Sequence, residues 1–228
     1  MANVAVISFP GSNCDRDIIT AVKHITGTDP AQYWHKETSM DKHDLVILPG
    51  GFSFGDYLRC GAIAARSPIM DEMMEHVWRG GYVLGICNGF QILTEAGILP
   101  GTLMRNKQLQ FVCRDVMLTI HQTESNAILA QCKEQMQLQI PVAHNEGNYF
   151  ADPDTLKKMA DKGQIAVTYT NTGAENYNPN GAINDIAGVT SENGRVLGLM
   201  PHPERKAEDI HGGQDGRLLL TSVIEAAS

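Results

Sequence analysis

The sequence predicts an α/β fold in which an open, mostly parallel sheet is covered by helices on both faces. Three short apolar runs rich in branched residues support this prediction, at residues 4–9, 44–49 and 82–86. Continuous apolar runs are typical of parallel strands that are buried on both faces. Helix-like segments separate the runs, and this alternation of strand and helix indicates an open parallel sheet.

The first helix is expected after Asp15, and a second is expected before the third strand. Ser67 is the predicted N-cap of the second helix, Pro68 is its first residue, and Gly80 and Gly81 end it. Apolar residues recur at helical spacing in both helices and predict faces that pack on the core. In the first they are Ile18, Ile19, Val22 and Ile25; in the second they are Ile69, Met70, Met73, Met74, Val77 and Trp78.

The same apolar patterns predict the elements of the rest of the chain, except for one ambiguous stretch. A third helix is expected over residues 88–95, strands over 111–120 and 196–200, and a last amphipathic helix over 216–226. Residues 124–137 fit either a helix or a loop. No internal repeat or linker interrupts the chain, so we expect a single domain over residues 1–228.

Composition excludes several functional classes. The 228 residues are 43% hydrophobic and carry a net charge of −8, which fits a folded core and disfavours nucleic acid or an anionic membrane as partner. The amino terminus has no cationic segment and too short an apolar run for a signal peptide or a membrane span. Five cysteines without a C-x-x-C pair favour a reduced, cytoplasmic protein and no zinc site.

Cys87 is the candidate nucleophile among the five cysteines. A buried structural thiol is the ordinary interpretation of a single cysteine. However, Cys87 stands between a predicted strand and a predicted helix, where helix N–H groups favour a thiolate. Gly85 and Gly89 leave room for a tight turn, and the N–H of Asn88 would face an oxyanion. The other four cysteines lack this placement and are expected to be structural.

His202 is the candidate base. It follows a predicted strand in the stretch "GLMPHPER", whereas most of the other seven histidines are expected at the surface. The flanking prolines should keep this stretch extended, so that His202 and Glu204 project from the same face. A carboxylate beside an imidazole fixes its tautomer. Cys87, His202 and Glu204 therefore form a candidate triad.

Two further stretches are less specific. Residues 47–59 are rich in glycine but lack the lysine of a phosphate-binding loop, so either an ordinary turn or a backbone oxyanion donor near Gly51 is expected. Residues 141–150 contain His144 and Glu146 but no third ligand at a metal-binding spacing, so a structured loop is expected there. The roles of His144 and Glu146 stay open.

The motifs "GICNGFQ", "PGG" and "PHPE" together resemble the class I (triad) glutamine amidotransferases. This resemblance implies a flavodoxin-like sheet and a glutaminase reaction. Cys87 would attack glutamine to form a thioester, and His202, oriented by Glu204, would move the proton. Gly51 or Phe52 would donate to the oxyanion together with Asn88, while Gln91 would help to hold the substrate.

Longer blocks, including "FPGSNCDRD", "LPGGFSFGDYLRCGAIAA" and "AHNEGNY", narrow the resemblance to the glutaminase subunits of phosphoribosylformylglycinamidine synthases. It implies an ATP-dependent synthetase subunit and a small bridging subunit as partners, acting in purine synthesis. ATP and magnesium would lie on the synthetase, and this chain would bind no cofactor or metal. Phe54, Cys60 and Asn145 depart from the family's usual residues, and none belongs to the triad.

Three alternatives agree with parts of the pattern. The first is a class I glutaminase that serves GMP, CTP or anthranilate synthesis, and the amino-terminal blocks argue against it. The second is a cysteine hydrolase or sensor of similar fold that is not an amidotransferase, for which Gln91 and "PHPE" are unexpected. The third is a binding module without catalytic activity.

Overall fold

The computed structural model describes residues 2–121 and 124–228. Residues 1, 122 and 123 of the predicted single domain lie outside the described residues, and the single domain stays a prediction. The helices are α1 (Asp15–Thr26), α2 (Ile69–Trp78), α3 (Asn88–Glu95), α4 (Pro153–Asp161) and α5 (Asp215–Ala226). The strands are β1 (Val4–Ser8), β2 (Ala31–Trp34), β3 (Leu45–Leu48), β4 (Tyr82–Ile86), β5 (Thr102–Met104), β6 (Val112–Ile120), β7 (Gln137–His144), β8 (Asn148–Phe150), β9 (Ile165–Tyr169), β10 (Ile186–Thr190) and β11 (Val196–Leu199).

Nine of these strands form one mixed sheet in the order β2-β1-β3-β4-β11-β10-β9-β6-β7. Strands β2, β1, β3, β4 and β11 run parallel, and β10, β9, β6 and β7 continue the sheet by antiparallel pairing. Strands β5 and β8 form a separate two-stranded sheet. The predicted α/β class is confirmed, and the parallel half contains the three strands that the sequence identified first.

The core lies where the apolar runs predicted it. Ile7 of β1, Ile47 of β3 and Leu84 of β4 are almost completely buried. Helix α1 buries Ile18 and Val22. The apolar runs therefore mark the central strands because both faces of those strands are covered.

Helix α2 differs from the prediction at both ends. The Ser67 hydroxyl lies 3.4 Å from His35 Nδ1 and does not cap the helix, which begins at Ile69. Trp78 is 75% exposed, although it was placed on the core-facing stripe. It is the last residue of the helix, beyond the edge of the core, and periodicity alone does not show where the core ends. Residues 124–136 form a loop with one short 3-10 turn at Ala127–Leu129, and Gln137 begins β7.

Three of the seven other histidines, most of which were expected at the surface, are buried: His35, His76 and His144. His76, for example, lies with its Nε2 3.0 Å from the carbonyl of Tyr82. Burial lowers the pKa of His76, so the ring fits into the protein interior in its neutral form. A polar helical context in the sequence is therefore a poor guide to histidine exposure in this chain.

Within residues 2–121 and 124–228, no helix is both long and apolar enough to cross a membrane.

Candidate active site

The candidate site lies at the carboxyl ends of three neighbouring parallel strands. Strand β4 pairs with β3 on one side and with β11 on the other. Cys87 follows β4, Gly51 follows β3, and His202 follows β11. The carboxyl ends of strands in an open α/β sheet are the usual place for a ligand. The topology thus brings together three stretches that are distant in sequence.

Cys87 occupies a sharp turn between β4 and α3. Its φ is 48° and its ψ is −102°, a conformation that L-residues rarely adopt. A Cβ atom at Gly89 would lie 2.1 Å from the carbonyl oxygen of Leu48, so only glycine allows α3 to pack this closely on β3. The turn places Cys87 directly before the unpaired N–H groups of the first turn of α3. Its Sγ lies 3.8 Å from the carbonyl oxygen of Ala143.

His202 and Glu204 form a buried pair, with 2.6 Å between Nδ1 and Oε1. Burial alone would lower the pKa of His202, but the carboxylate of Glu204 and the thiolate of Cys87 raise it well above its ordinary value. The Nε2 atom of His202 is buried and has no protein partner among the described residues. It is therefore available to a reacting group.

The backbone at this pair differs from the sequence prediction. Pro203–Lys206 form a 3-10 turn instead of an extended segment. Proline is tolerated at the first position of such a turn because its missing N–H is not needed there. The turn, rather than an extended backbone, brings the Glu204 carboxylate onto His202.

Of the predicted oxyanion donors, the N–H of Phe52 already has a hydrogen-bond acceptor. Its N–H donates to the carbonyl of Gly11 at 2.8 Å, so Phe52 is not available as a donor in this structure. Gly51 has a φ of 149°, and a Cβ atom there would lie 2.5 Å from the same carbonyl oxygen. Of Gly51 and Phe52, Gly51 is therefore the remaining candidate donor.

Asn88 and Gln91 hold the start of α3 in place. The Asn88 side chain accepts from the N–H of Ser53 at 3.3 Å and donates to Gln91 Oε1 at 2.9 Å. Gln91 Nε2 donates to the carbonyl of Glu146 at 2.7 Å. The two side chains thus connect the glycine-rich loop, helix α3 and the turn between β7 and β8.

Four of the seven predicted residues line one cavity: Gly51, Phe52, Cys87 and Gln91. His202 lines an adjoining cavity that shares Gly51, Phe52 and Ala143 with the first. Residues 141–150, predicted as a structured loop, form the end of β7, a turn and β8. The sequence did not identify the remaining residues of the first cavity as lining residues. These remaining residues are Asp56, Cys60, Arg105, Ala143, His144, Asn145 and Glu146.

Two other cysteines lie close to the site. Burial raises the pKa of Cys60, and the nearby Glu146 and Asp56 raise it further, which keeps this thiol protonated. Cys14 Sγ, a ring nitrogen of His202 and a carboxylate oxygen of Glu204 lie within 4.8 Å of one another, a grouping that could hold a metal ion. Arg205 Nη2 donates to Cys14 Sγ at 2.9 Å, and its positive charge disfavours a cation there.

Phe54 and Asn145, which also depart from the family's usual residues, differ from each other in backbone conformation. Phe54 has a φ of 53°, in the left-handed region. Asn145 has no positive φ and therefore forms no left-handed turn. The carbonyl of Asn145 instead accepts from the N–H of Asn106 at 2.9 Å.

The comparisons with known proteins agree with this geometry. Residues 1–213 match the family described as the CobB/CobQ-like glutamine amidotransferase domain. The phosphoribosylformylglycinamidine synthase subunit PurQ of Cereibacter sphaeroides is 53% identical over 221 residues, 96% of each chain. That of Bartonella henselae is 50% identical over 223 residues, 98% of each chain. A chain in the structure of PurLQS from Thermotoga maritima aligns with a TM-score of 0.86 at 38% identity, over 99% of both chains. The chain therefore belongs to the CobB/CobQ-like glutamine amidotransferases and, among them, to the family of PurQ subunits of phosphoribosylformylglycinamidine synthase.

Proposed function

We propose that this chain hydrolyses the side-chain amide of L-glutamine and delivers the ammonia to an ATP-dependent synthetase subunit. The observation that carries this proposal is the buried His202–Glu204 pair, which lies beside a strained Cys87 at the ends of adjacent parallel strands. A thiol, a base and an orienting carboxylate are the components of nucleophilic amide cleavage.

The chemistry follows from these positions. The Cys87 thiolate attacks the amide carbon of glutamine, and the N–H groups of Gly51 and Asn88 stabilise the oxyanion. Protonated His202 gives its proton to the amide nitrogen, the C–N bond breaks, and ammonia leaves. Water, deprotonated by His202, then attacks the γ-glutamyl thioester, which releases glutamate and regenerates the thiolate.

The wall of the cavity suits a free amino acid. Asp56 and Glu146 contribute carboxyl groups to it, and Arg105 contributes a guanidinium that lies 3.6 Å from Glu146. Glutamine carries an ammonium group and a carboxylate beside its side-chain amide. Both charged groups of the substrate would therefore meet groups of opposite charge in this cavity.

The partners follow from the family. The synthetase subunit would use ATP and magnesium to convert formylglycinamide ribonucleotide to its amidine in purine synthesis, and a small third subunit would bridge the two. This chain would then need no cofactor or metal of its own. The assembled enzyme would act in the cytoplasm.

Replacement of Cys87 by alanine tests the proposal in the assembled complex. We expect Cys87→Ala to abolish synthesis from glutamine and to leave synthesis from added ammonia unchanged, because only the first needs the thiolate. Cys60→Ala is the matched control, since Cys60 lines the same cavity as a protonated thiol. Synthesis from glutamine that survives in Cys87→Ala would refute the proposal.

A further inference from the structure

Asn106 holds both sides of the turn between β7 and β8. It is completely buried, and its side-chain amide donates to the carbonyls of Gln110 at 2.8 Å and His144 at 2.9 Å. Its side-chain oxygen lies 3.1 Å from His144 Nδ1 and accepts from the N–H of Gly147 at 3.0 Å. Every hydrogen-bonding position of this side chain is thus used, and most of them fix residues 144–147.

The other ring nitrogen of His144 also faces an asparagine. Asn180 is completely buried, and its amide nitrogen lies 3.4 Å from His144 Nε2 and 2.9 Å from the hydroxyl of Tyr169. An acceptor at Nδ1 and a donor at Nε2 define the neutral imidazole with its proton on Nδ1. Burial lowers the pKa of His144 to about 3, and the charge of His202 lowers it as well.

Residues 143–147, which are fixed in this way, contact Cys87 at one end and Gln91 near the other. The carbonyl of Ala143 lies 3.8 Å from Cys87 Sγ, and the carbonyl of Glu146 accepts from Gln91. A Cβ atom at Gly147 would lie 2.4 Å from the His144 ring, so the turn packs directly on the imidazole. A displacement of the imidazole would therefore reach Cys87 and Gln91.

We propose that Asn106 and His144 are positioning residues of the glutamine site, which together with Asn180 hold residues 143–147 against Cys87 and Gln91 and keep the His144 ring uncharged. We call these three residues the asparagine–histidine bracket. The inference rests on the proposed glutaminase function and assigns a role to the "AHNEGNY" stretch.

The uncharged ring matters because of its neighbours. Besides burial, the charge of His202 lowers the pKa of the ring, and the hydroxyl of Tyr169 contacts the same Asn180 amide as the ring does. The titratable residues that line the same cavity as His144 are Asp56, Cys60, Cys87, Arg105 and Glu146. A proton on His144 would place a second positive charge near His202 and would oppose the protonated form that the reaction needs. Two asparagines hold the ring without supplying a charge that would attract this proton.

Replacement of Asn106 by alanine tests the bracket in the assembled complex. We expect Asn106→Ala to raise the KM for glutamine at least tenfold and to slow covalent labelling of Cys87 by a diazo-ketone analogue of glutamine. Asn126→Ala is the matched control, because Asn126 is equally buried and bonds His121 and Thr190 outside this cavity. The Asn126→Ala variant should lose about as much stability towards urea as Asn106→Ala does, but it should keep the wild-type KM for glutamine.

Asn106→Asp provides a readout that a purely structural role would not change. Aspartate keeps the oxygen that accepts from His144 and Gly147, loses the donors to Gln110 and His144, and adds a negative charge beside His144 Nδ1, which raises the pKa of the ring. The glutaminase activity of this variant, expressed relative to wild type at the same pH, should fall as the pH drops below neutrality and recover as it rises.

Two results would overturn the inference while the wild-type complex is active: a KM within twofold of wild type for Asn106→Ala, or a pH profile of Asn106→Asp that matches wild type. A wild-type complex that cannot use glutamine would instead refute the proposed function itself.

Discussion

Cys87 differs from the other four cysteines in its backbone, because it combines a positive φ with the start of a helix. Cys14 also precedes a helix, α1, but its φ is −103°. Cys60 and Cys132 have raised pKa values. The sequence identified Cys87, His202 and Glu204 because each follows a recognisable strand. Cys14 and Asn106 were missed because their important contacts are long-range: Cys14 meets Arg205, 191 positions away. Local pattern carries no information about such contacts.

Glu204→Gln should isolate the contribution of the orienting carboxylate. Glutamine has nearly the same shape but no charge, so the pKa of His202 should fall and less of the protonated imidazole should be present at neutral pH. We expect kcat for glutamine hydrolysis to drop about 10²- to 10⁴-fold with little change in KM, as for orienting carboxylates elsewhere. Steady-state kinetics of the complex measure this. A kcat within threefold of wild type would contradict the role assigned to Glu204.

His144→Gln should change how the stability of the protein depends on pH. The pKa of His144 is about 3 in the folded protein, against an ordinary value of 6.5, so the unfolded chain binds an extra proton between these values. The free energy of unfolding should therefore fall as the pH drops below 6.5, by up to about 1.4 kcal/mol per pH unit from this residue.

Urea denaturation of wild type and His144→Gln at several pH values measures this. The difference between their free energies of unfolding gives the contribution of His144 at each pH. His211→Gln is the control, because His211 is exposed. If the difference between wild type and His144→Gln does not change between pH 7 and pH 5, the folded protein tolerates a charged ring at this position.

At the scale of elements, the strands differ in how well the sequence predicts them, and the difference follows their burial. Strands β1, β3, β4 and β11 are buried on both faces and read as continuous apolar runs. Strand β7 alternates between exposed and buried residues along most of its length, and β2 shows partly buried and exposed residues in turn. These weaker patterns resemble those of loops, so β2 and β7 were not predicted. Strands β4 and β11, which carry the candidate triad residues beyond their carboxyl ends, are among the predicted strands, whereas β2 of the same parallel half is not.

Gly89→Ala should disrupt the contact between α3 and β3. The added methyl group would lie 2.1 Å from the Leu48 carbonyl oxygen and 2.8 Å from its carbon, so the helix would have to move and Cys87 would move with it. We expect a loss of about 3 kcal/mol in the free energy of unfolding, in the upper range for an overpacked site. Labelling of Cys87 by the diazo-ketone analogue should also be lost.

Gly97→Ala is the matched control at the other end of α3. Gly97 has a φ of 71° and no atom within 4 Å of an added Cβ, so only the left-handed backbone would cost about 1 kcal/mol. Labelling of Cys87 should survive this change. Equal losses in the two variants, measured by urea denaturation, would show that the contact with β3 is not what requires glycine at position 89.

At the scale of the whole molecule, large apolar side chains are exposed close to the glutamine cavity. Phe52 lines the cavity and is 43% exposed, and Tyr57 and Leu58, between the lining residues Asp56 and Cys60, are 74% and 89% exposed. Exposed apolar groups beside a site that must pass ammonia to another subunit favour a contact with that subunit. Trp78 is also 75% exposed, but it ends α2 just before the amino end of β4, whereas the cavity lies at the carboxyl ends of the strands.

Leu58→Asp should weaken association with the synthetase partner. Leu58 has a φ of 68°, a backbone that aspartate adopts more readily than leucine, so the change adds no backbone strain. Loss of one large buried apolar side chain is worth about 1.5–3 kcal/mol, and we therefore expect the Kd for the partner to rise at least tenfold. Calorimetric titration measures this Kd, with Trp78→Asp as the control of similar exposure. If Trp78→Asp weakens binding as much as Leu58→Asp does, the synthetase does not dock over the mouth of the glutamine cavity.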